Sequence, residues 1–183
     1  MPSPIGHALA GATVAWAVDA IDRRPSSNRL VIASAVVATL PDLDLAFKGF
    51  HRSATHSLTA VLVLMIIAAA VTGGVTRWRV ALICGAAWST HLLLDWLATD
   101  TSSPRGLQLL WPFRQTYFIS GWDLFPATER YQLLSLASIQ KNAVAGGWEV
   151  LLLVPMALAI YLVREKALAR FSAKLPRGDH ASQ

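Results

Sequence analysis

His91 and Asp95 stand four residues apart in the stretch THLLLDWLATD, which is otherwise almost entirely apolar. On a helix that spacing puts both side chains on one face, about one turn apart. An imidazole nitrogen and a carboxylate oxygen so placed can hold one divalent cation together, with zinc first among the metals that accept mixed nitrogen and oxygen donors. More residues of the same chemistry occur at intervals: His7 in GHALAG, Asp42 and Asp44 in PDLD, and His51 and His56 in HRSATHS. Arg52 lies among them, and its planar guanidinium fork matches the geometry of a phosphate.

Most of the surrounding sequence is apolar. Hydrophobic residues make up 54% of the 183 residues and charged residues only 15%, with mean hydropathy +0.45. Soluble domains carry about 25% charged residues. The apolar residues are also clustered, and an ionised Asp in the middle of a membrane helix costs about 2.5–3.5 kcal/mol on insertion scales. The sequence predicts an all-α, polytopic bundle of about five transmembrane helices, forming a single domain over residues 1–183. The expected helices are Ile5 to Val18, Leu30 to Leu40, His56 to Val75, Val80 to Ala98 and Ala145 to Val163. The first two are short for a span of about 20 residues. An aromatic segment with Pro104, Pro112 and Pro126 connects the fourth helix to the fifth, and YQLLSLASI within that connection reads as a short interfacial helix. Pro155 is positioned to kink the fifth helix. Cys84 is the one cysteine, which excludes a disulfide framework and a thiolate cluster.

Five spans place the termini on opposite sides of the membrane. One side then receives Arg23, Arg24, Arg29, Arg77, Arg79 and a basic tail of about 164–183 with Arg164, Lys166, Arg170, Lys174 and Arg177. The other receives Lys48, Arg52, Arg105, Arg114, Arg130 and Lys141. The excess of positive charge assigns the first side to the cytoplasm. On that topology His7, Asp42, Asp44, His51, His56, His91 and Asp95 all fall near the outer face, and only His180, in the tail, does not. The +5 net charge is concentrated at the tail, where it reads as a membrane anchor and not as a nucleic-acid surface.

Taken singly, each of these residues has a plainer explanation. His91 suits a hydrogen-bonded helix end, Asp95 a pair with Arg105, Asp42 and Asp44 helix caps, and His51 with Arg52 a solvated loop. Thr55 suits either a helix cap or, with Ser57, a donor to a metal ligand. Glu149, beside Trp148, reads as an interfacial carboxylate at the start of the fifth helix. It is the convergence on one face that favours a metal site. Gly6 and Gly11, in a run of small residues beside His7, suit a close helix approach that would bring that histidine in.

MPSPIGHALAG, LPDLD, HRSATHS and HLLLDWLATD followed by GLQLLWPF resemble the YdjM-like family of bacterial inner-membrane proteins, to which metal-dependent hydrolysis has been ascribed. The likeness covers about residues 1–113 and implies a membrane-embedded helical fold in the inner membrane. A more distant similarity is to the zinc-dependent phospholipases C and single-strand nucleases, in which ligands run His, Asp, His, then His-x-x-x-Asp. Here His7, Asp42 or Asp44, His51 or His56, His91 and Asp95 follow that order. Those enzymes continue with further His ligands and a His-x-x-x-Glu, which nothing after Asp100 supplies, so one or two ions are expected, not three.

The expected activity is hydrolysis of a phosphoester, in a lipid or lipid-linked substrate, by a metal-activated water at the outer membrane face. His7, Asp42, Asp44, His51, His56, His91 and Asp95 are the candidate ligands. Asp42 or Asp44, whichever is left free, would take the proton, and Arg52 would clamp the phosphate. The aromatic segment is expected to lie on the outer leaflet and guide the headgroup inward, or simply to anchor the fold. The rival reading is a non-catalytic metal carrier or sensor. A carrier needs polar residues along the inner halves of its helices, and VLVLMIIAAAV has none. A peptidase of the His-Glu-x-x-His type is excluded by the lack of that motif.

Overall fold

The structure is a computed structural model that describes residues 2–46, 51–101, 103–130 and 132–173. Lys48, Lys174, Arg177 and His180 lie outside the described residues. Among those described, five α-helices and one 3-10 turn form the fold: α1 (Pro4–Asp22), α2 (Asn28–Val37), the turn Leu40–Ala46, α3 (Leu58–Thr72), α4 (Arg77–Leu97) and α5 (Leu136–Ser172). Helix α1 packs on α2, α4 and α5, while α3 packs on α4.

Local chemistry sets the helix ends. Ser3 caps α1, with Pro4 at its first position, where a missing N–H is harmless. Ser27 caps α2 and Ser135 caps α5. Ser57, not Thr55, caps α3, accepting from the Ala60 N–H, and this leaves His56 in the loop before the helix. Pro41 lacks an N–H and restricts the residue before it, so α2 ends at Val37 and PDLD falls in the 3-10 turn.

Three expectations need correction. Helix α5 begins at Leu136, takes in the end of YQLLSLASI, and continues for 37 residues through Pro155. Arg164, Lys166 and Arg170 therefore belong to a helix and not to a tail. Two helices, α4 and α5, are long and apolar enough to cross a membrane, where five spans were expected. Helix α3 has only 15 residues, or about 22 Å, against a hydrocarbon core of about 30 Å.

Apolar side chains nevertheless face outward along the bundle. Leu62, Ile66, Ile67 and Val71 on α3 and Leu151, Leu158 and Leu162 on α5 are exposed. The interior relies on close approach. At Gly11 an added Cβ would stand 2.5 Å from the Ser34 carbonyl oxygen and 2.6 Å from the Ala38 Cβ, so α1 and α2 pack nearly backbone to backbone. The Ser34 hydroxyl donates to the Gly11 carbonyl at 2.6 Å across that contact.

The connection from α4 to α5 is folded against the end of the bundle. Thr99 N–H donates to Phe125 O, Leu124 N–H to Leu97 O, and Leu107 and Phe118 exchange both backbone bonds. Phe125 is buried with Ala10, Leu94, Ala98 and Leu153, and Leu107 with Val61 and Leu92. Gly106, at φ 98°, lies so close to the Phe118 backbone that no side chain fits there.

Candidate metal centre

The helix directions bring the start of α1, the 3-10 turn, the loop before α3 and the end of α4 to one end of the bundle. The connection between α4 and α5 props that loop. Gln108 N–H donates to Arg52 O, Leu58 N–H to Leu109 O, and the Thr59 hydroxyl to Trp111 O. From α4, the Trp88 indole N–H donates to Thr55 O at 2.8 Å.

Three buried ligand atoms form the centre. His56 Nε2 and His91 Nε2 are 3.1 Å apart. Asp95 Oδ2 lies 3.3 Å from His91 Nε2 and 3.5 Å from His56 Nε2. Zinc–nitrogen bonds of about 2.0–2.1 Å in a tetrahedron put neighbouring ligand atoms about 3.3–3.4 Å apart, so the three spacings fit one ion. Asp42 Oδ1 stands farther off, 3.7 Å from His56 Nε2 and 3.8 Å from His91 Nε2. These four side chains make one donor group and Asp42, Asp44, His51 and His56 a second.

Buried polar atoms are almost always hydrogen-bonded. Here Asp42 Oδ1, both oxygens of Asp95 and both ring nitrogens of His7 are buried without a hydrogen bond. Carboxylate oxygens without a hydrogen bond beside two imidazole nitrogens are what a cation site needs, and the donors fit a divalent ion. His7 Nε2 lies 3.5 Å from Asp95 Oδ1, and its ring stacks on His91 at 3.8 Å between centroids.

The outer partners aim the two histidines. His91 Nδ1 is 2.8 Å from the Ala38 carbonyl, which must accept, so that Nδ1 carries the proton and Nε2 points its lone pair inward. His56 Nδ1 is 3.1 Å from Asp44 Oδ2, a carboxylate–histidine pair of the kind that orients metal ligands. Asp44 accepts from His51 Nδ1 at 2.7 Å, from the Thr55 hydroxyl and from the Arg52 N–H as well. His51 Nε2 in turn accepts from the Arg130 guanidinium at 3.1 Å. The second donor group is therefore held together by its own hydrogen bonds.

Burial alone would raise the Asp44 carboxyl, but hydrogen bonds from His51, His56 and Thr55 hold it well below the ordinary carboxylate range. Burial alone would lower His56. Asp42, Asp44 and Asp95 outweigh that and push it up to about 10.

Arg52 is buried and ion-paired with Asp100, which also accepts from the Gly106 N–H. Its backbone takes φ 68°, an uncommon conformation for a side-chain-bearing residue, held by bonds at its N–H and its carbonyl. The sequence gives no site role to Arg130 and misplaces Glu149. Arg130, from the α4–α5 connection, stands 3.8 Å from Asp42 Oδ2 and touches His51. Its sequence neighbours carry no signal for this. Glu149 is no interfacial carboxylate. It is buried inside α5 and accepts from the Ser3 N–H at 2.7 Å and from the Ser3 hydroxyl, pinning the start of α1.

The far end of the bundle carries a separate ionic cluster. Asp19 on α1 is fully buried and accepts from Ser26, from Arg79 on α4 and from Arg164 on α5.

The family model for the YdjM inner membrane protein matches residues 1–168. No curated protein and no solved structure matches.

Proposed function

The chain belongs to the family of YdjM inner membrane proteins, and from that premise we propose that it is a membrane-bound, metal-dependent hydrolase that cleaves a phosphoester. One observation carries the reading. His56, His91 and Asp95 present three donors at tetrahedral spacing, while Asp42 stands beyond that spacing on the side of an open cavity. Catalytic zinc sites have three protein ligands and keep one position for water, whereas structural sites are closed by four.

In this reading His56, His91 and Asp95 hold the ion, with zinc the leading choice. When bound, zinc would supply a water acidified to a pKa of about 7. Asp42, at the cavity beside the donors, would serve as the general base for that water. Asp44 and the Ala38 carbonyl fix the two imidazoles, with His51 and Thr55 holding Asp44 in turn. His7 and the second oxygen of Asp95, 3.5 Å apart, would be the residues to hold a second ion. Arg52, ion-paired with Asp100 and lining the cavity beside His51, is the second arginine available to a phosphate oxygen.

All five helices sit in the inner membrane, with the shorter ones packed against α4 and α5, and the centre faces the periplasm. Among the described residues, Arg23, Arg24, Arg29, Arg77, Arg79, Arg164, Lys166 and Arg170 gather at the opposite end. Arg52, Arg105, Arg114, Arg130 and Lys141 lie on the side of the centre, and the heavier positive charge marks the cytoplasmic side.

Elemental analysis and a chromogenic phosphodiester assay on detergent-purified protein test this. Asp42→Asn should keep the metal and lose about 10²–10⁴-fold in turnover. Substoichiometric metal after zinc reconstitution would refute the centre. Full metal with no ester cleaved would leave a non-catalytic metal-binding protein, the carrier or sensor.

A further inference from the structure

Two cavities meet beside the centre. One, of about 540 Å³, reaches Asp42 and is walled by Pro2, Pro4, Leu43, Leu45, Leu133 and Arg130. The other, of about 330 Å³, reaches His51, Arg52 and Lys141 and shares Leu45, Thr128, Glu129 and Arg130 with the first. Arg130 stands in the common wall. One guanidinium nitrogen is 3.1 Å from His51 Nε2, and another faces Asp42 at 3.8 Å, longer than a hydrogen bond. A guanidinium carries five N–H donors, so Arg130 has capacity to spare on the side of the cavity. Around the mouth, Leu43, Leu45 and Leu133 are 64%, 46% and 55% exposed. Isolated exposed leucines mean little, but three around one opening, next to an arginine and a cluster of metal donors, describe a specific shape.

We propose that the substrate is a phosphoester of a membrane lipid, with its phosphate oxygens on Arg130 and its chain leaving along Leu43, Leu45 and Leu133. This rests on the metal-hydrolase reading above. A charged head matches the guanidinium, and an apolar tail matches a rim that a water-soluble ester would leave bare. The reaction is a hydrolysis. The water oxygen bonds to phosphorus, the P–O bond to the leaving group breaks, and the departing oxygen receives the proton that Asp42 removed. No other reactant is needed. Arg130 donates to the non-bridging oxygens, where charge grows in the transition state.

The test uses full-length, zinc-reconstituted protein and its Arg130→Gln, Arg130→Lys and Leu133→Asp variants. Zinc content is measured first. Hydrolysis is then compared on vesicles of phosphatidylglycerol and phosphatidylethanolamine and on the deacylated, water-soluble headgroup esters. Inorganic phosphate binding is measured by calorimetry as a readout independent of turnover. The parent should prefer the vesicle lipid in kcat/KM. Arg130→Gln should keep its zinc, bind phosphate at least about tenfold more weakly, the loss expected when a charged hydrogen bond goes, and lose activity on every ester. Arg130→Lys should recover part of both, since a lysine restores the charge without the fork. Leu133→Asp should lower the ratio of lipid to soluble turnover. Zinc-loaded protein that cleaves soluble esters as well as lipid, or Arg130→Gln with parental phosphate affinity, overturns this inference and leaves the hydrolase reading standing. Absence of zinc, or no cleavage of any ester, overturns the hydrolase reading and this inference with it.

Discussion

Gly11 makes no contact with the centre, yet its replacement by alanine should weaken metal binding. The new Cβ would stand 2.5 Å from the Ser34 carbonyl oxygen and 2.6 Å from the Ala38 Cβ, where ordinary contact begins near 3.4 Å. Both neighbours are backbone or fixed to it, so no rotamer absorbs the clash, and α2 must retreat by about 0.9 Å. Ala38 is the residue whose carbonyl holds His91 Nδ1 at 2.8 Å. A retreat along that bond lengthens it to about 3.7 Å, beyond hydrogen-bonding range. His91 then loses the contact that fixes its tautomer and its aim, a loss that typically costs about 10–100-fold in metal affinity. Overpacking should also cost about 1–3 kcal/mol of stability. Gly85→Ala separates the two effects, because its new Cβ meets the flexible Met65 side chain at the α3–α4 contact. Zinc affinity is read by competition with a chromophoric chelator, and folding by the thermal transition. Gly85→Ala should lose stability and keep its affinity, whereas Gly11→Ala should lose both. A folded Gly11→Ala protein that binds zinc as tightly as the parent would show that the α1–α2 contact does not position His91.

His91→Ala and Asp95→Asn should each remove most of the metal affinity, and the double variant little more than the worse of the two, because both act on one ion. Simple addition of the two effects in the chelator titration would refute a shared ion. Zinc uptake should be proton-linked. His56, raised to about 10 in the metal-free protein, must give up its Nε2 proton, so apparent affinity should climb by up to about tenfold per pH unit from 6.5 towards 10. The same raised pKa stabilises the metal-free fold fully below about 6.5 and loses that contribution as pH rises through about 10. The thermal transition of apo-protein should therefore fall at high pH, and that of zinc-loaded protein should not. A pH-independent zinc affinity would count against His56 as a ligand. For sidedness, Ser53→Cys should react with an impermeant thiol reagent from outside intact cells and Ser172→Cys should not. The native Cys84 is buried and should stay silent, and the reverse pattern would place the centre at the cytoplasm.

The members of the centre were legible in the sequence because His and Asp in an apolar run have few other uses, and because alternating helix directions sort them to one end. Their division of labour was not. Asp42 and Asp44 are two residues apart with identical chemistry, and only the 3-10 turn decides that Asp44 faces His51, His56 and Thr55 while Asp42 faces the cavity. The same holds for His51 and His56. Arg130 was invisible because it arrives through a connection without periodicity. Glu149 was misread because α5 starts nine residues earlier than its apolar run suggests, which moves the carboxylate from a helix end into its interior. Arg164 was counted with the tail for a related reason. Its partner, Asp19, lies 145 residues earlier in the chain, and no local pattern connects the two.

That separation bears on how the protein is made. Helix α1 is held at one end by Glu149 on Ser3, 146 residues apart, and at the other by Arg164 on Asp19. At about 5–20 residues per second, the ribosome needs roughly 7 to 30 s to reach α5 after α1 has emerged. Throughout that interval the Asp19 carboxylate lacks one of its two arginines, and Ser3 has no glutamate to meet. Until then α1 has only α2 and α4 to pack on. The arrival of α5 closes the bundle from both ends at once. His7, four residues beyond Ser3, has that anchor only then, so of the donor residues it is the one whose support depends on α5. A chain truncated before Glu149 should carry all seven candidate donors, from His7 to Asp95, and still lack the carboxylate that pins the start of α1 beside the centre.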